Sequence, residues 1–291
     1  MKELIVNKKN NEKKLSNFLF ENFDGLNNNT FNKAIRKKDI RINNTKISEN
    51  CTIYEGDEIK IYIVDELLYK SQKTKKIEIV YEDENIVVFN KPNGIEVTGE
   101  NSLEQYAKKI YKFVEPCHRL DRNTTGVIVF AKNDQSLEIL LQSFKNHKIT
   151  KHYKCIVVGI PKKEKQTLEA YLFKDNKKSL VYISNKQQKG YKKIVTSYVV
   201  EQKEYKKNIS MLDVTLHTGR THQIRAHLAY VGYPILGDGK YGINEINKKF
   251  KLKTQQLCSY SLQFNFNNEK NILSYLDNKI IKLKNVPFKL N

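Results

Sequence analysis

Residues 116–132 read PCHRLDRNTTGVIVFAK. From Gly126 onward the stretch is a short apolar run, the pattern of a strand buried on both faces. Ahead of it, Asn-Thr-Thr-Gly is turn chemistry. The stretch therefore predicts a loop that carries Asp121 to the end of a buried strand, where rigid scaffolds place reactive groups. Arg119 and Arg122 flank Asp121. A carboxylate so placed could act as nucleophile or general base. It could equally cap the turn and pair with Arg119.

The flanking arginines stand out because the chain has only six among its 52 basic residues. They fall in three pairs: Arg36 and Arg41, Arg119 and Arg122, Arg220 and Arg225. Elsewhere lysine supplies the positive charge. Arginine adds a planar fork that grips carboxylate or phosphate at two points and stacks on bases. Each pair thus marks a place where that geometry is expected to matter.

Outward from these pairs, the 291 residues fit two domains, and 39% hydrophobic content supports globular folding. The net charge of +20 favours a polyanionic partner, nucleic acid before membrane. A sequence generally rich in Lys and Asn could reach that charge without such a partner. No apolar run approaches the roughly 18 residues of a membrane span, and MKELIVNKKNNEKKL lacks a signal-peptide core. Cys51, Cys117, Cys155 and Cys258 lie far apart with no CxxC pair. They point to a reducing cytoplasm, without a disulfide framework or zinc knuckle. A monomer is the default.

Residues 1–68 read as a small α/β unit. Leu15, Phe18, Leu19 and Phe23 recur at helical spacing. NNNTFNKAIRKKD reads as a second helix capped by Asn29 or Thr30, and short alternating strands follow. The basic stretch 69–76, YKSQKTKK, reads as a linker. Residues 77–291 are strand-rich, with helices expected at SLEQYAKKIYKF, DQSLEILLQSFKN and THQIRAHLAYVG. The helices are too few for regular β-α alternation. The expected class is α+β, with a mixed, mainly antiparallel sheet and flanking helices.

A second dense stretch, LHTGRTHQIRAHLAYVGYPILGDGKYG (216–242), holds three of the six histidines. His217, His222 and His227 are five residues apart. On a helix that is about 500°, so they do not converge as i, i+4 metal ligands do. No metal is expected. Arg220 follows Gly219 at the expected helix start, where phosphate could bind. Arg225 lies among apolar neighbours and needs an acidic partner, for which Asp121 is a candidate. Arg36 and Arg41, at a basic helix end followed by a strand, suit phosphate contact. Tyr153 by itself reads as core.

Taken together, these stretches resemble the RluA-type pseudouridine synthases. HRLDRNTTGVIVFAK is similar to that family's catalytic motif, NKPNGIEV to its first motif, HYKCIVVG to its tyrosine motif and TGRTHQIRAHLAYVGYPILGDGKYG to its C-terminal motif. Residues about 12–62 resemble, more loosely, the small RNA-binding domain shared with ribosomal protein S-four. Thr98-Gly99 departs from the His-Pro of many relatives. The resemblance implies a pseudouridine-synthase catalytic domain behind a small RNA-binding domain, and a redox-neutral isomerisation without cofactor. Asp121 would be the catalytic carboxylate, attacking C1′ of the target uridine or abstracting a proton there. Tyr153 would stack on the base and help remove the C5 proton, and Arg225 would pair with Asp121. Arg119 would fill the gap left by a flipped nucleotide. Arg122 would touch phosphate or a neighbouring loop. The expected substrate is large-subunit ribosomal RNA. The alternatives are the same reaction on transfer RNA, a non-catalytic RNA-binding assembly factor, or an RNA hydrolase.

Overall fold

The computed structural model describes residues 1–69, 76–267 and 269–290. The chain divides into two compact units, Met1–Lys76 and Ile77–Asn291. Of the stretch expected to link domains, 69–76, residues 70–75 lie outside the described residues.

In the first unit the elements are β1 (Lys2–Ile5), α1 (Leu15–Asn22), α2 (Asn28–Lys37), β2 (Ile40–Ile42), β3 (Thr45–Lys46), β4 (Glu58–Ile61) and α3 (Asp65–Leu68). The strands form an antiparallel sheet in the order β1-β4-β2-β3. Leu15, Phe18, Leu19 and Phe23 pack with Phe31, Ala34 and Ile35 of α2 over Ile40, Ile59 and Ile61. The cap of α2 corrects the sequence reading. Asn27, not Asn29 or Thr30, accepts the Thr30 N–H at 3.0 Å. Capping two or three residues earlier lets the same helix carry Phe31 within it and still present Ala34 and Ile35 to the core.

The second unit holds β5 (Ile79–Glu82), β6 (Ile86–Lys91), α4 (Leu103–Lys108), β7 (Glu115–Pro116), β8 (Thr125–Ala131), α5 (Asp134–Lys145), β9 (Ile149–Val158), β10 (Lys165–Asp175), β11 (Leu180–Ser184), β12 (Lys192–Glu204), β13 (Ile209–Leu216), α6 (Gln223–Tyr230), α7 (Asn244–Lys249), β14 (Leu257–Phe264) and β15 (Ile280–Lys282). Its sheet runs β11-β10-β12-β13-β9-β14-β8-β6-β5, with β15 beside β14 and β7 beside β8. All pairs are antiparallel except β14 with β8. The fold is thus the expected α+β class with a mixed, mainly antiparallel sheet.

Strand β8 is the run that opened the sequence reading, and Val127 through Ala131 are wholly buried. Ile128 and Phe130 face one core with Tyr153 and with Ile224 and Leu228 of α6. Val127 and Val129 face a second core with Leu140, Leu262 and Phe264. At its start, Gly126 has φ +110°, and a Cβ there would lie 2.1 Å from the Ser259 carbonyl oxygen. Only glycine lets β14 approach β8 this closely. That junction in mid-sheet is where the Asp121 loop emerges.

Candidate active site

The Asp121 loop is held from two sides. The Thr124 N–H closes a turn on the Asp121 carbonyl at 3.0 Å. From the β6 side, the Lys91 ammonium, fully buried, donates to the carbonyls of Pro92 (3.0 Å), Ile95 (2.8 Å) and Arg122 (3.0 Å). Burial pushes its pKa down to about 8, so it remains an ammonium at neutral pH. The Gly94 N–H also donates to the Arg122 carbonyl at 3.0 Å, and Arg122 Nε returns a bond to Gly94 O at 2.9 Å. On the other flank, Gln255 Nε2 donates to Thr124 Oγ1 at 2.7 Å.

Asp121 projects from this frame with its side chain 17% exposed. Arg225 of α6 donates from Nη1 to Asp121 Oδ2 at 2.8 Å. The other edge of the same guanidinium grips Asp238, Nε to Oδ2 at 2.6 Å and Nη2 to Oδ1 at 2.9 Å. Asp238 is completely buried, and its Oδ1 also accepts the N–H groups of Lys240 and Tyr241 at 2.8 and 3.1 Å. Burial alone would raise the Asp238 pKa. The Arg225 bonds and the two N–H groups outweigh it and hold the carboxyl below its usual range. One arginine fork thus spans a fixed carboxylate and a cleft-facing one.

His222 closes the site. It sits at φ 53°, in the left-handed region that costs a non-glycine residue free energy, directly ahead of α6. Its Nδ1 lies 2.9 Å from the Tyr241 hydroxyl, which itself accepts the Val181 N–H at 3.0 Å. Nε2 is 3.9 Å from Asp121 Oδ2. Burial, with Arg225 and Lys240 adding to it, brings the His222 pKa down to about 4 against the pull of Asp121, so the ring is neutral at neutral pH.

Asp121, Arg225 and His222 lie where two hollows of about 470 and 550 Å³ adjoin. Tyr153 lines the first and is 5% exposed, so it is core and wall at once. Burial raises its hydroxyl pKa well above the usual tyrosine value. Arg119 is exposed on the rim of both hollows, and Arg220 is exposed on the rim of the first.

The structure therefore brings together Asp121, Tyr153, Arg225, Arg119 and Arg220. One expectation is corrected. Arg220 is not at a helix start, because the left-handed turn at His222 delays α6 to Gln223. Arg122 touches the neighbouring loop at Gly94, one of its two expected partners. Arg36, exposed in the last turn of α2, and Arg41, whose guanidinium lies 4.9 Å from the centre of the Tyr62 ring, belong to the first unit. The three histidines diverge to Ser197, Tyr241 and Thr196. Among the described residues no His/Cys/Asp/Glu group could hold a metal.

Sequence reasoning missed Asp238, His222, Tyr241 and Lys91. For Asp238 there was a signal. It is the sole acid in residues 216–242, and Arg225 needed one.

An α+β sheet that presents an arginine-anchored carboxylate in a cleft rimmed by Arg119 and Arg220 suits an enzyme acting on a polyanion. The family can be stated from comparison. The profile of the RNA pseudouridylate synthase family matches residues 85–230, half of the chain. The ribosomal large subunit pseudouridine synthase C of Buchnera aphidicola subsp. Baizongia pistaciae is 30% identical, over 93% of this chain and 91% of its own. An uncharacterized RNA pseudouridine synthase of Aquifex aeolicus is 31% identical, over 87% and 86%. The solved structure of human RNA pseudouridylate synthase domain containing 1 shares the fold, with TM-score 0.59 and 23% identity over 67% of this chain and 81% of that one. The chain belongs to the RNA pseudouridylate synthase family, as its RluA-type resemblance implied, and is an RNA pseudouridine synthase.

Proposed function

We propose that the protein isomerises uridine to pseudouridine in large-subunit ribosomal RNA, with Asp121 as the carboxylate that does the chemistry. The ribosomal target rests on relatives named for the large subunit, at about nine-tenths coverage of both chains. The residue assignment rests on one observation above the others. Asp121 is the single carboxylate lining the first hollow, and it is aimed by a buried arginine that a second carboxylate fixes.

The reaction breaks the uridine N1–C1′ bond and forms a C5–C1′ bond. The proton on C5 leaves and N1 gains one, so the balance needs no oxidant or cofactor. Asp121 acts at the sugar, leaving the base free to turn. Tyr153 provides the wall on which the base lies. It also helps remove the C5 proton. Arg119 enters the space left by the flipped nucleotide. Arg220 holds backbone phosphate. The first unit binds RNA, with Arg36 and Arg41 on phosphate. The four free cysteines fit a reducing cytoplasm, and among the described residues no helix is long and apolar enough to cross a membrane.

The test incubates unmodified large-subunit ribosomal RNA and a transfer RNA pool with wild type and with Asp121→Asn, then maps pseudouridine by carbodiimide treatment and primer extension. New stops on ribosomal RNA, lost in the variant, are expected. Stops on transfer RNA alone would move the target. Normal stops with Asp121→Asn would overturn the carboxylate assignment.

A further inference from the structure

Lys151 stands two residues before Tyr153 on β9 and therefore faces the same side of the strand, into the first hollow. Its Nζ lies 5.6 Å from the centre of the Phe144 ring, and 3.2 Å from where a side chain on Gly219 would begin. Unlike Lys154 and Lys91, it has no hydrogen-bonding or acidic partner among the described residues. On the opposite face of the same strand, Lys154 bonds both oxygens of Glu201 at 2.6 and 2.8 Å. Lys91 has its three carbonyls.

A desolvated ammonium without an anion costs free energy, and proteins normally pair it. Burial holds the Lys151 pKa below the ordinary lysine value, and no carboxylate pulls it back up. Asp121 is thus not its counter-ion. Arg225 is the counter-ion of Asp121. Around Lys151 the lining is basic, with Lys145 and Arg220 beside it and Asp121 as the one acid. Arg220 is exposed at the end of the Thr218-Gly219-Arg220 turn, so the two cations flank Gly219. The side-chain-free glycine leaves the space above the ammonium open. The missing partner is an anion small enough to enter a cleft and present in every RNA substrate.

We propose that Lys151, with Arg220 across Gly219, forms the subsite for a backbone phosphate of the RNA beside the nucleotide at Asp121, and that RNA supplies the anion this lysine lacks. The proposal rests on the reading of the cleft as a uridine site. It makes Lys151 a positioning residue that aligns the ribose with the carboxylate. It also sets two observables against each other. Lys151→Met keeps the packed stem and removes the unpaired charge, so the free protein should become more stable while RNA binding weakens.

The experiment compares wild type, Lys151→Met and Lys151→Arg by thermal melting without RNA and by pseudouridine formation on large-subunit ribosomal RNA across a salt series. For Lys151→Met the melting temperature should hold or rise. KM should rise by about ten- to a hundredfold, the worth of one hydrogen bond to a charged group, and by more than kcat falls. The slope of log affinity against log salt should shrink by about 0.7 to 0.9, one phosphate contact. Lys151→Arg should restore that slope. Wild-type KM and slope in Lys151→Met would overturn the subsite. So would a lower melting temperature, because it would mean the ammonium is compensated within the protein. If wild type forms no pseudouridine on this RNA, the uridine-site reading fails by itself. Filter binding of the same RNA across salt by the three proteins then decides the subsite independently.

Discussion

Replacing Asp238 by Asn tests the idea that a buried carboxylate aims the reactive one. The substitution keeps the shape. Oδ1 of Asp238 carries three of the four bonds, from Arg225 Nη2 and the N–H groups of Lys240 and Tyr241. The asparagine oxygen will take that position, which puts its NH2 against Arg225 Nε, now held 2.6 Å from Oδ2. Two donors cannot stay that close, and Arg225, only 7% exposed, loses its compact charge partner. Removing one member of a buried ion pair costs about 3–5 kcal/mol. The lower end, about 3 kcal/mol, applies because the Asp121 bond at 2.8 Å survives. For a folding unit of this size that is a melting-temperature loss of about 6–12 °C. The guanidinium keeps its bond to Asp121 but, freed from Asp238 Oδ2, shifts and carries that carboxylate with it, and an error near 1 Å in a reacting group costs about a hundredfold in rate. Circular-dichroism melts and single-turnover pseudouridine formation measure both. Asp121→Asn is the control, since it leaves the Arg225–Asp238 pair intact and should abolish turnover with little thermal shift. A melt of Asp238→Asn within about 2 °C of wild type would mean under 1 kcal/mol, and would refute the anchoring argument.

Two further outcomes follow from the fold. Gly126→Ala must push β14 off β8, since ordinary contact would need over an ångström more than the 2.1 Å available. It should cost about 3–5 kcal/mol from overpacking and strain and should abolish turnover. Gly99→Ala, at φ +101° with open space around it, should lose only the strain, about 1–2 kcal/mol; equal melts for the two variants would refute the close-approach reading. His227, 1% exposed with Nδ1 3.1 Å from Thr196 Oγ1, has its pKa pushed down to about 4 by burial. Its folded pKa lies below its unfolded value of about 6.5, so the unfolded chain binds the proton first and stability falls as pH drops through that window. Between pH 6.5 and 5.5 this residue alone should cost about 1 kcal/mol. Urea midpoints at those two pH values should therefore separate less in His227→Gln than in wild type, and equal separation would refute the assignment.

The loop-and-strand reading of residues 116–132 reached the mid-sheet position of Asp121 because a run buried on both faces has few alternatives. The arginine argument also reached real geometry at Arg225, whose fork does what a lysine could not, and at Arg122, which serves a backbone loop. It could not tell these from Arg119 and Arg220, since a structural and a substrate-facing arginine look alike until partners are placed. Strand β10 is hard to read because its inward residues, Leu168, Ala170 and Leu172, alternate with enough Lys, Gln and Glu to blur the apolar signal. The delayed start of α6 escaped because nothing local marks His222 for a left-handed turn. That conformation is held by Tyr241, nineteen residues away. Lys91 and Lys151 were hidden among the many lysines. Only burial shows that one is satisfied by carbonyls and that the other has no hydrogen-bonding or acidic partner among the described residues.

The same contrast bears on where RNA is gripped. The net charge of +20 is divided between the two units. The first unit, Met1–Lys76, carries sixteen lysines and arginines against eleven carboxylates, a net +5, and the second thirty-six against twenty-one, a net +15. The field that attracts a polyanion over distances near the Debye length of about 8 Å therefore belongs mainly to the second unit. In the first unit Arg41 is a placed group, stacked on Tyr62 with its buried Nε unpartnered among the described residues. If Arg41 contacts phosphate as proposed, its substitution should weaken RNA binding and shrink the salt slope by about 0.7 to 0.9, and an unchanged slope would refute that contact.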